Sequence, residues 1–350
     1  MKIKIGKHTI GSGYLTFIIA EMSGNHGGSL EQAIKIIHAA KSSGADAIKL
    51  QTYTADTITL KSDKEDFCLK SDNAWAKHQT LWELYDKAYT PWEWHERLFA
   101  EAKKLGMEIF SSPFDETAVD FLEQFDPPAY KIASPEITHI PLLKRVARTG
   151  KPVIISTGIA NLSDIELAVS VLRSENVKDI IILQCSTAYP APPEETNLVV
   201  IEDMKKRFNV LSGLSDHSMG VAIPIAAVAL GANVIEKHIT LDSGDETVDS
   251  FFSTGEKEFA YMVSGIRLVE KAIGKINYDI SPTALKSING RRSLYVSDRI
   301  KKGENFTPSN IKCIRPAYGL HPQYYEDIIG LKAKVDLEAG DRLSWDVTEE

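Results

Sequence analysis

Almost from its start the chain alternates between short apolar runs rich in isoleucine and valine and longer amphipathic segments, and each apolar run stops at a polar residue. The runs are residues 16–20, 46–51, 107–110, 130–134, 152–158, 179–183, 209–213 and 233–236. Continuous apolar stretches of this length read as strands buried on both faces, which is how parallel strands read. The segments between them carry helix signals. Ser29 caps a helix reaching Ser43, and others span 91–105, 116–124, 141–149 and 163–173. A further helix at 223–230 has Pro224 in its first turn and Gly231 at its end. Strands and helices alternating at roughly 20 to 30 residues per repeat predict a closed (β/α)8 TIM barrel of the α/β class. One long insertion, 52–90, interrupts the rhythm. A doubly wound open sheet competes with the barrel, but no G-x-G-x-x-G loop follows any strand.

Barrel chemistry sits at the carboxyl ends of the strands. Glu21, Lys49, Gln51, Ser112, Lys131, Ser134, Ser156, Tyr189, Ser215, His217 and His238 all fall there. Lysine is rarely buried without a partner, so Lys49 and Lys131 either face a polar cleft or break their strands. Singly, each residue has a plain explanation: the serines cap helices, Glu21 is a solvated loop carboxylate, the histidines are core residues with a hydrogen-bond partner. Together they form one rim. Two lysines and a ring of hydroxyls suit a small phosphorylated ligand. His217 and His238, just past the ends of consecutive strands, suit a divalent metal with open positions that polarises a carbonyl.

A formal charge of −8 argues against nonspecific nucleic-acid binding, so positive groups serving an anion must gather in one cleft. Cys68, Cys185 and Cys313 show no metal or redox spacing and cannot all pair, as expected in a reducing compartment. No signal-peptide or membrane-spanning pattern is visible, so a soluble, cytoplasmic protein is expected. Past the eighth strand, an acidic loop at 242–253 carries Asp249, and an amphipathic helix at 256–273 closes the barrel. The polar stretch that follows reads as a linker. The expected division is a barrel over 1–275, a linker over 276–290 and a small module over 291–350. With short segments between turns, that module is expected to have little core of its own.

The motifs Ile18-Ile-Ala-Glu21, Asn25-His26-Gly, Lys49-x-Gln51-Thr52, Ser112-Pro-Phe114 and Lys131-Ile-Ala-Ser134 occur in order. They continue with Ser156-Thr-Gly158, Tyr189-Pro190, Gly213-Leu-Ser-Asp-His217-Ser and Ile235-Glu-Lys-His238. Together they resemble the sialic acid synthase family, the phosphoenolpyruvate-dependent nonulosonic acid synthases. The module from Arg291 is similar to that family's antifreeze-like (SAF, β-clip type) domain. Ser62-Asp-Lys-Glu-Asp-Phe67, Leu81-x-Glu-Leu-Tyr85, Trp94-His95 and Arg315-Pro-x-Tyr-Gly-Leu-His321-Pro resemble the pseudaminate-forming branch.

The resemblance implies a transferase that condenses phosphoenolpyruvate with 2,4-diacetamido-2,4,6-trideoxy-L-altrose, giving pseudaminic acid and phosphate. It implies Glu21, His217 and His238 as catalytic, with a metal on the two histidines: manganese, with magnesium or cobalt as alternatives. It implies phosphoenolpyruvate on Lys49, Ser112, Lys131, Ser134, Ser156 and Ser215. Gln51, Tyr189 and Asp249 would face the sugar. It also implies a homodimer in which the small domain caps the partner's barrel and Arg315 reaches the sugar's acetamido group. Thr187 stands where N-acetylneuraminate synthases of the family carry asparagine, which speaks against N-acetylmannosamine as substrate. The alternatives are an N-acetylneuraminate or legionaminate synthase of the same mechanism and a noncatalytic carbohydrate-binding protein.

Overall fold

A computed structural model describes residues 1–71, 74–242, 244 and 246–350. The chain begins with a hairpin, β1 (Lys2–Ile5) and β2 (His8–Gly11), paired antiparallel. The parallel strands follow: β3 (Phe17–Glu21), β4 (Ala47–Thr52), β5 (Glu108–Pro113), β6 (Tyr130–Ile132), β7 (Val153–Ser156), β8 (Ile180–Cys185), β9 (Leu211–Asp216) and β10 (Val234–Thr240). Each pairs with the next, and β10 pairs with both β9 and β3, which closes the barrel. The expected strands are all present, with ends displaced by up to four residues; the largest shift carries β10 through His238 to Thr240, so that histidine lies within its strand and not past it.

Two apolar layers hold the barrel. Outside it, Ile18, Ile48, Ile132, Val153, Ile182 and Ile235 pack against the helices. Inside, Phe17, Ile19, Phe110, Ile154, Leu183 and Val234 pack together with Ile3, Ile5 and Ile10 of the hairpin. Alternation of side chains along each strand separates the two sets. The hairpin therefore closes the floor of the barrel, and the alternating burial of Lys-Ile-Lys-Ile in β1 is its sequence signature. Gly213 is needed where β9 meets β10, because a Cβ there would lie 2.1 Å from the Val234 carbonyl oxygen.

The helices start where their caps place them. Ser29 Oγ accepts from the Gln32 N–H at 3.3 Å at the head of Leu30–Ser42. Asn161 and Asp164 form a reciprocal cap on Leu162–Ser174. Val200–Phe208 is a helix that sequence reading does not single out.

The chain divides into compact units at Met1–Gly274 and Lys275–Glu350. Residues 276–290 fall in the second unit, where Ser281 caps the short helix Pro282–Leu285. In that unit Ser293–Val296 pairs antiparallel with Ile311–Ile314 and Lys332–Ala333 with Thr348–Glu349. Contrary to expectation it has a core of its own, including Leu294, Val296, Ile300, Phe306, Ile311 and Leu343. These residues are scattered singly between turns, so only the fold gathers them.

Candidate active site

The carboxyl ends of the strands surround a cavity of about 170 Å³. At its base lie four buried charges. Lys49 of β4 pairs with Glu21 of β3 at 2.6 Å and approaches Glu236 of β10 at 3.7 Å. Lys131 of β6 pairs with Glu236 at 3.2 Å. Two ammonium and two carboxylate groups, each under one-tenth exposed, give a neutral set. The apparent breaks in two apolar strands are thus paired lysines turned inward. Burial alone would favour neutral Glu236, but Lys131 and Lys49 outweigh it and hold its carboxyl below the usual range. Burial lowers Lys49, and Glu21 and Glu236 more than restore it. Lys131 stays depressed by burial despite Glu236, and burial raises Glu21 against the pull of Lys49.

Hydroxyls ring these charges. Ser112 Oγ accepts from Lys49 Nζ at 3.2 Å, and Ser215 Oγ donates to Glu236 at 3.0 Å. Ser134 Oγ accepts from the Ile159 N–H at 2.8 Å. Ser156 Oγ is buried with no hydrogen-bond partner among the described residues, and it lines the cavity. An ordered hydroxyl kept dry without a partner is one a ligand can satisfy.

His217 and His238 stand above the charges with ring centroids 5.2 Å apart. His217 Nδ1 lies 2.9 Å from the Ser186 carbonyl oxygen, which can only accept, so Nδ1 carries a hydrogen and Nε2 is the nitrogen left to face a cation. Burial opposes the charged ring, but Cys185 and the Ser186 carbonyl outweigh it and raise His217 above the ordinary imidazole value, so a cation would have to displace a proton from Nε2. Burial and the neighbouring positive groups hold His238 well below the ordinary imidazole value, so it is neutral, and its buried Nδ1 has no partner among the described residues. Once Nε2 of His217 has given up its proton, the two rings offer lone pairs that fit a divalent cation. Among the described residues no cluster of three or more His, Cys, Asp or Glu side chains surrounds such a position, so water or substrate would complete the coordination.

The far end is aromatic and polar. Tyr189 lies 4.6 Å from His217 by ring centroids, and Phe252 lies 4.8 Å from His238. Trp75, from the insertion, contacts Tyr189 at 5.2 Å. Gln51 Nε2 donates to Glu21 at 3.0 Å and to Ser23 Oγ at 3.2 Å. Asp249 is buried and accepts from Ser23 Oγ and, at 3.3 Å, from the Gly24 N–H. Burial raises its carboxyl against those hydrogen bonds.

Lys49, Gln51, Lys131, Ser134, Ser156, Tyr189, Ser215, His217, His238 and Asp249 line the cavity. Glu21 and Ser112 sit one layer below, each bound to Lys49. Arg315 lies in the second unit, exposed, just after Ile311–Ile314. Sequence reading missed Glu236, Ser23, Trp75 and Phe252. Glu236 was legible: two residues before His238 on a strand, it shares that histidine's face. Lys237 points the other way, into a buried pair with Asp216.

The NeuB family pattern matches residues 36–278 and the SAF domain pattern residues 291–346. The chain is 49% identical over 327 residues to a pseudaminic acid synthase of Campylobacter jejuni subsp. jejuni serotype O:23/36, covering 93% of this chain and 95% of that one. It is 44% identical to a pseudaminic acid synthase of Helicobacter pylori, covering 95% and 97%. The crystal structure of the spore coat polysaccharide biosynthesis protein SpsE of Bacillus subtilis superposes with a TM-score of 0.68 at 35% identity, covering 99% of this chain and 98% of that one.

Proposed function

Since the chain belongs to the NeuB family, we propose that it condenses phosphoenolpyruvate with 2,4-diacetamido-2,4,6-trideoxy-L-altrose, releasing pseudaminic acid and phosphate. The observation that carries this reading is the neutral quartet of Lys49, Lys131, Glu21 and Glu236 directly beneath two histidines in one barrel mouth. A phosphate group and a carboxylate need paired cations, and an aldehyde needs an electrophilic partner beside them. A noncatalytic binder gains nothing from burying four charges.

Lys49 and Lys131 hold the anionic groups of phosphoenolpyruvate, with the unpartnered Ser156 hydroxyl and Ser134 as donors. A divalent cation on His217 and His238, manganese by resemblance, would polarise the sugar aldehyde. Held within reach, C3 of phosphoenolpyruvate forms a bond to the aldehyde carbon, whose oxygen takes up a proton, and positive charge develops at C2. Water adds at C2 and loses a proton. Cleavage of the bond between C2 and the phosphate oxygen, with the new hydroxyl's proton passing to the departing phosphate, then leaves the 2-keto acid. Glu21, bound directly to the cavity-lining Lys49 and Gln51, balances the cation through Lys49 and orients the water. Gln51, Tyr189 and Asp249 position the sugar.

The same reading includes a homodimer in which Arg315 of one copy serves the other's site. Two features support it. Arg315 is exposed and has no ion pair among the described residues. The helix Ala222–Ala229 carries no charged residue yet leaves Ala222, Ala229 and the following Leu230 exposed on the barrel wall. The same reading places the protein in the cytoplasm, where three free cysteines suit a reducing compartment. No helix among the described residues is long and apolar enough to cross a membrane.

The test is phosphate release from phosphoenolpyruvate with manganese, run with the altrose derivative and with N-acetylmannosamine. Release with the altrose derivative alone is expected. Release with N-acetylmannosamine alone would overturn the substrate assignment, and release with neither would overturn the activity.

A further inference from the structure

The cavity is graded from charge to aromatic carbon. The lysines and Glu236 occupy one end and the histidines the middle. Tyr189 and Phe252 touch the histidine rings, and Trp75 is one ring further out. Trp75 makes edge contacts to Phe251 at 5.9 Å and Phe252 at 6.5 Å, and Phe251 and Phe252 meet at 5.0 Å. Phe251 is 43% exposed, so the aromatic group reaches the mouth of the site. The indole N–H of Trp75 donates to the Val248 carbonyl at 2.9 Å and also reaches the Asp249 carboxylate, which anchors the insertion to the loop that carries Asp249. Those bonds use the indole's one donor, so the rest of the ring presents carbon to the cavity.

This grading fixes how an aldose lies. If the aldehyde carbon is at the histidines, beside the phosphoenolpyruvate held by the lysines, the sugar's carbon chain runs toward Tyr189 and Phe252, and its last carbon meets Trp75. We propose that Trp75, backed by Phe251 and Phe252, is the specificity-determining wall for that last carbon and selects a terminal methyl over a hydroxymethyl group. The inference rests on the condensation reading above and extends it to one named position of the substrate. A methyl group buries carbon against the rings at no polar cost. A hydroxyl at the same place would give up water and find carbon faces and a donor already engaged, and an apolar site discriminates against an added hydroxyl by up to about a hundredfold.

The experiment compares kcat/KM for 2,4-diacetamido-2,4,6-trideoxy-L-altrose with its 6-hydroxy counterpart, 2,4-diacetamido-2,4-dideoxy-L-altrose. It uses the full-length protein and the variants Trp75→Phe, Trp75→Ala and Trp75→Gln, with KM for phosphoenolpyruvate measured in parallel. The unaltered protein is expected to favour the deoxy sugar by about 10- to 100-fold. Trp75→Phe keeps that preference. Trp75→Ala narrows it by roughly tenfold, through loss of the deoxy substrate and without a change in KM for phosphoenolpyruvate. Trp75→Gln raises kcat/KM for the hydroxylated sugar, a gain that misfolding cannot produce. Equal use of both sugars by the unaltered protein would overturn the proposal, as would an unchanged preference in both Trp75→Ala and Trp75→Gln. Activity with N-acetylmannosamine alone would overturn the methyl-selecting wall while leaving the condensation standing. No phosphate release with any of the three sugars would remove the condensation and the wall together.

Discussion

Among the described residues Glu236 is the one carboxylate that touches both cavity lysines, and replacing it with glutamine tests how the site stores charge. The change keeps shape and an acceptor for the Ser215 hydroxyl but removes one negative charge from a neutral set of four. At an effective dielectric constant of about 20, contacts of 3.2 and 3.7 Å are each worth roughly 4 to 5 kcal/mol. Repulsion between Glu236 and Glu21 offsets part of this. Breaking a buried pair from one side costs about 3 to 5 kcal/mol. For a unit of this size, about 2 to 4 °C of melting temperature accompanies each kcal/mol, so Glu236→Gln is expected to melt roughly 10 °C lower. Without its carboxylate partner, Lys131 is depressed further, so the defect shrinks as pH rises and the lysine sheds its proton. Inorganic phosphate should raise the variant's melting temperature more than that of the unaltered protein, because the anion restores the missing charge. Circular dichroism melts with and without phosphate from pH 6 to 9 read all three effects. A variant that melts within about 2 °C of the unaltered protein, or gains no more from phosphate, would refute the charge argument.

Ser156→Ala should leave stability within about 0.5 kcal/mol, because the hydroxyl has no partner to lose among the described residues, yet raise KM for phosphoenolpyruvate roughly tenfold. Steady-state kinetics and a denaturation curve check both halves, and a stability loss with unchanged KM would assign Ser156 to the scaffold. His238→Ala should abolish binding of manganese alone in a calorimetric titration; undiminished binding would place the metal elsewhere. Burial pushes the Glu136 carboxyl up to about 7, and its Oε2 lacks a partner among the described residues. From pH 4.5 to 7 the native state keeps a proton that the unfolded chain has given up, so stability falls over that window by up to about 3 kcal/mol. Glu136→Gln should remove that slope and stabilise the protein at pH 8 but not at pH 4. Parallel pH profiles of the melting temperature would contradict it. Sedimentation should show a dimer that Leu230→Glu weakens, and a monomer at micromolar concentration would remove the shared site.

Much of the architecture is a local property of the chain. Eight apolar runs ending in polar residues, Ser29 and Asn161 as caps, and the spacing that puts His217 and His238 on consecutive strands are all set within a few neighbours or one repeat. Short-range periodicity therefore reveals the barrel and its rim. The lysines in β4 and β6 were legible as anomalies, and only the tertiary structure decided that they are partners of one site. Lys49 and Glu236 lie far apart in sequence and meet because β10 returns to pair with β3 and closes the ring. The same closure turns the hairpin's isoleucines into a floor and lets Glu21 and Ser112 recede beneath Lys49 while Ser156 stays open to the cavity. Trp75 shows the limit most clearly. It comes from an insertion without periodicity, and its place beside Tyr189 and Phe252 depends on contacts that the barrel strands create and that no local pattern encodes.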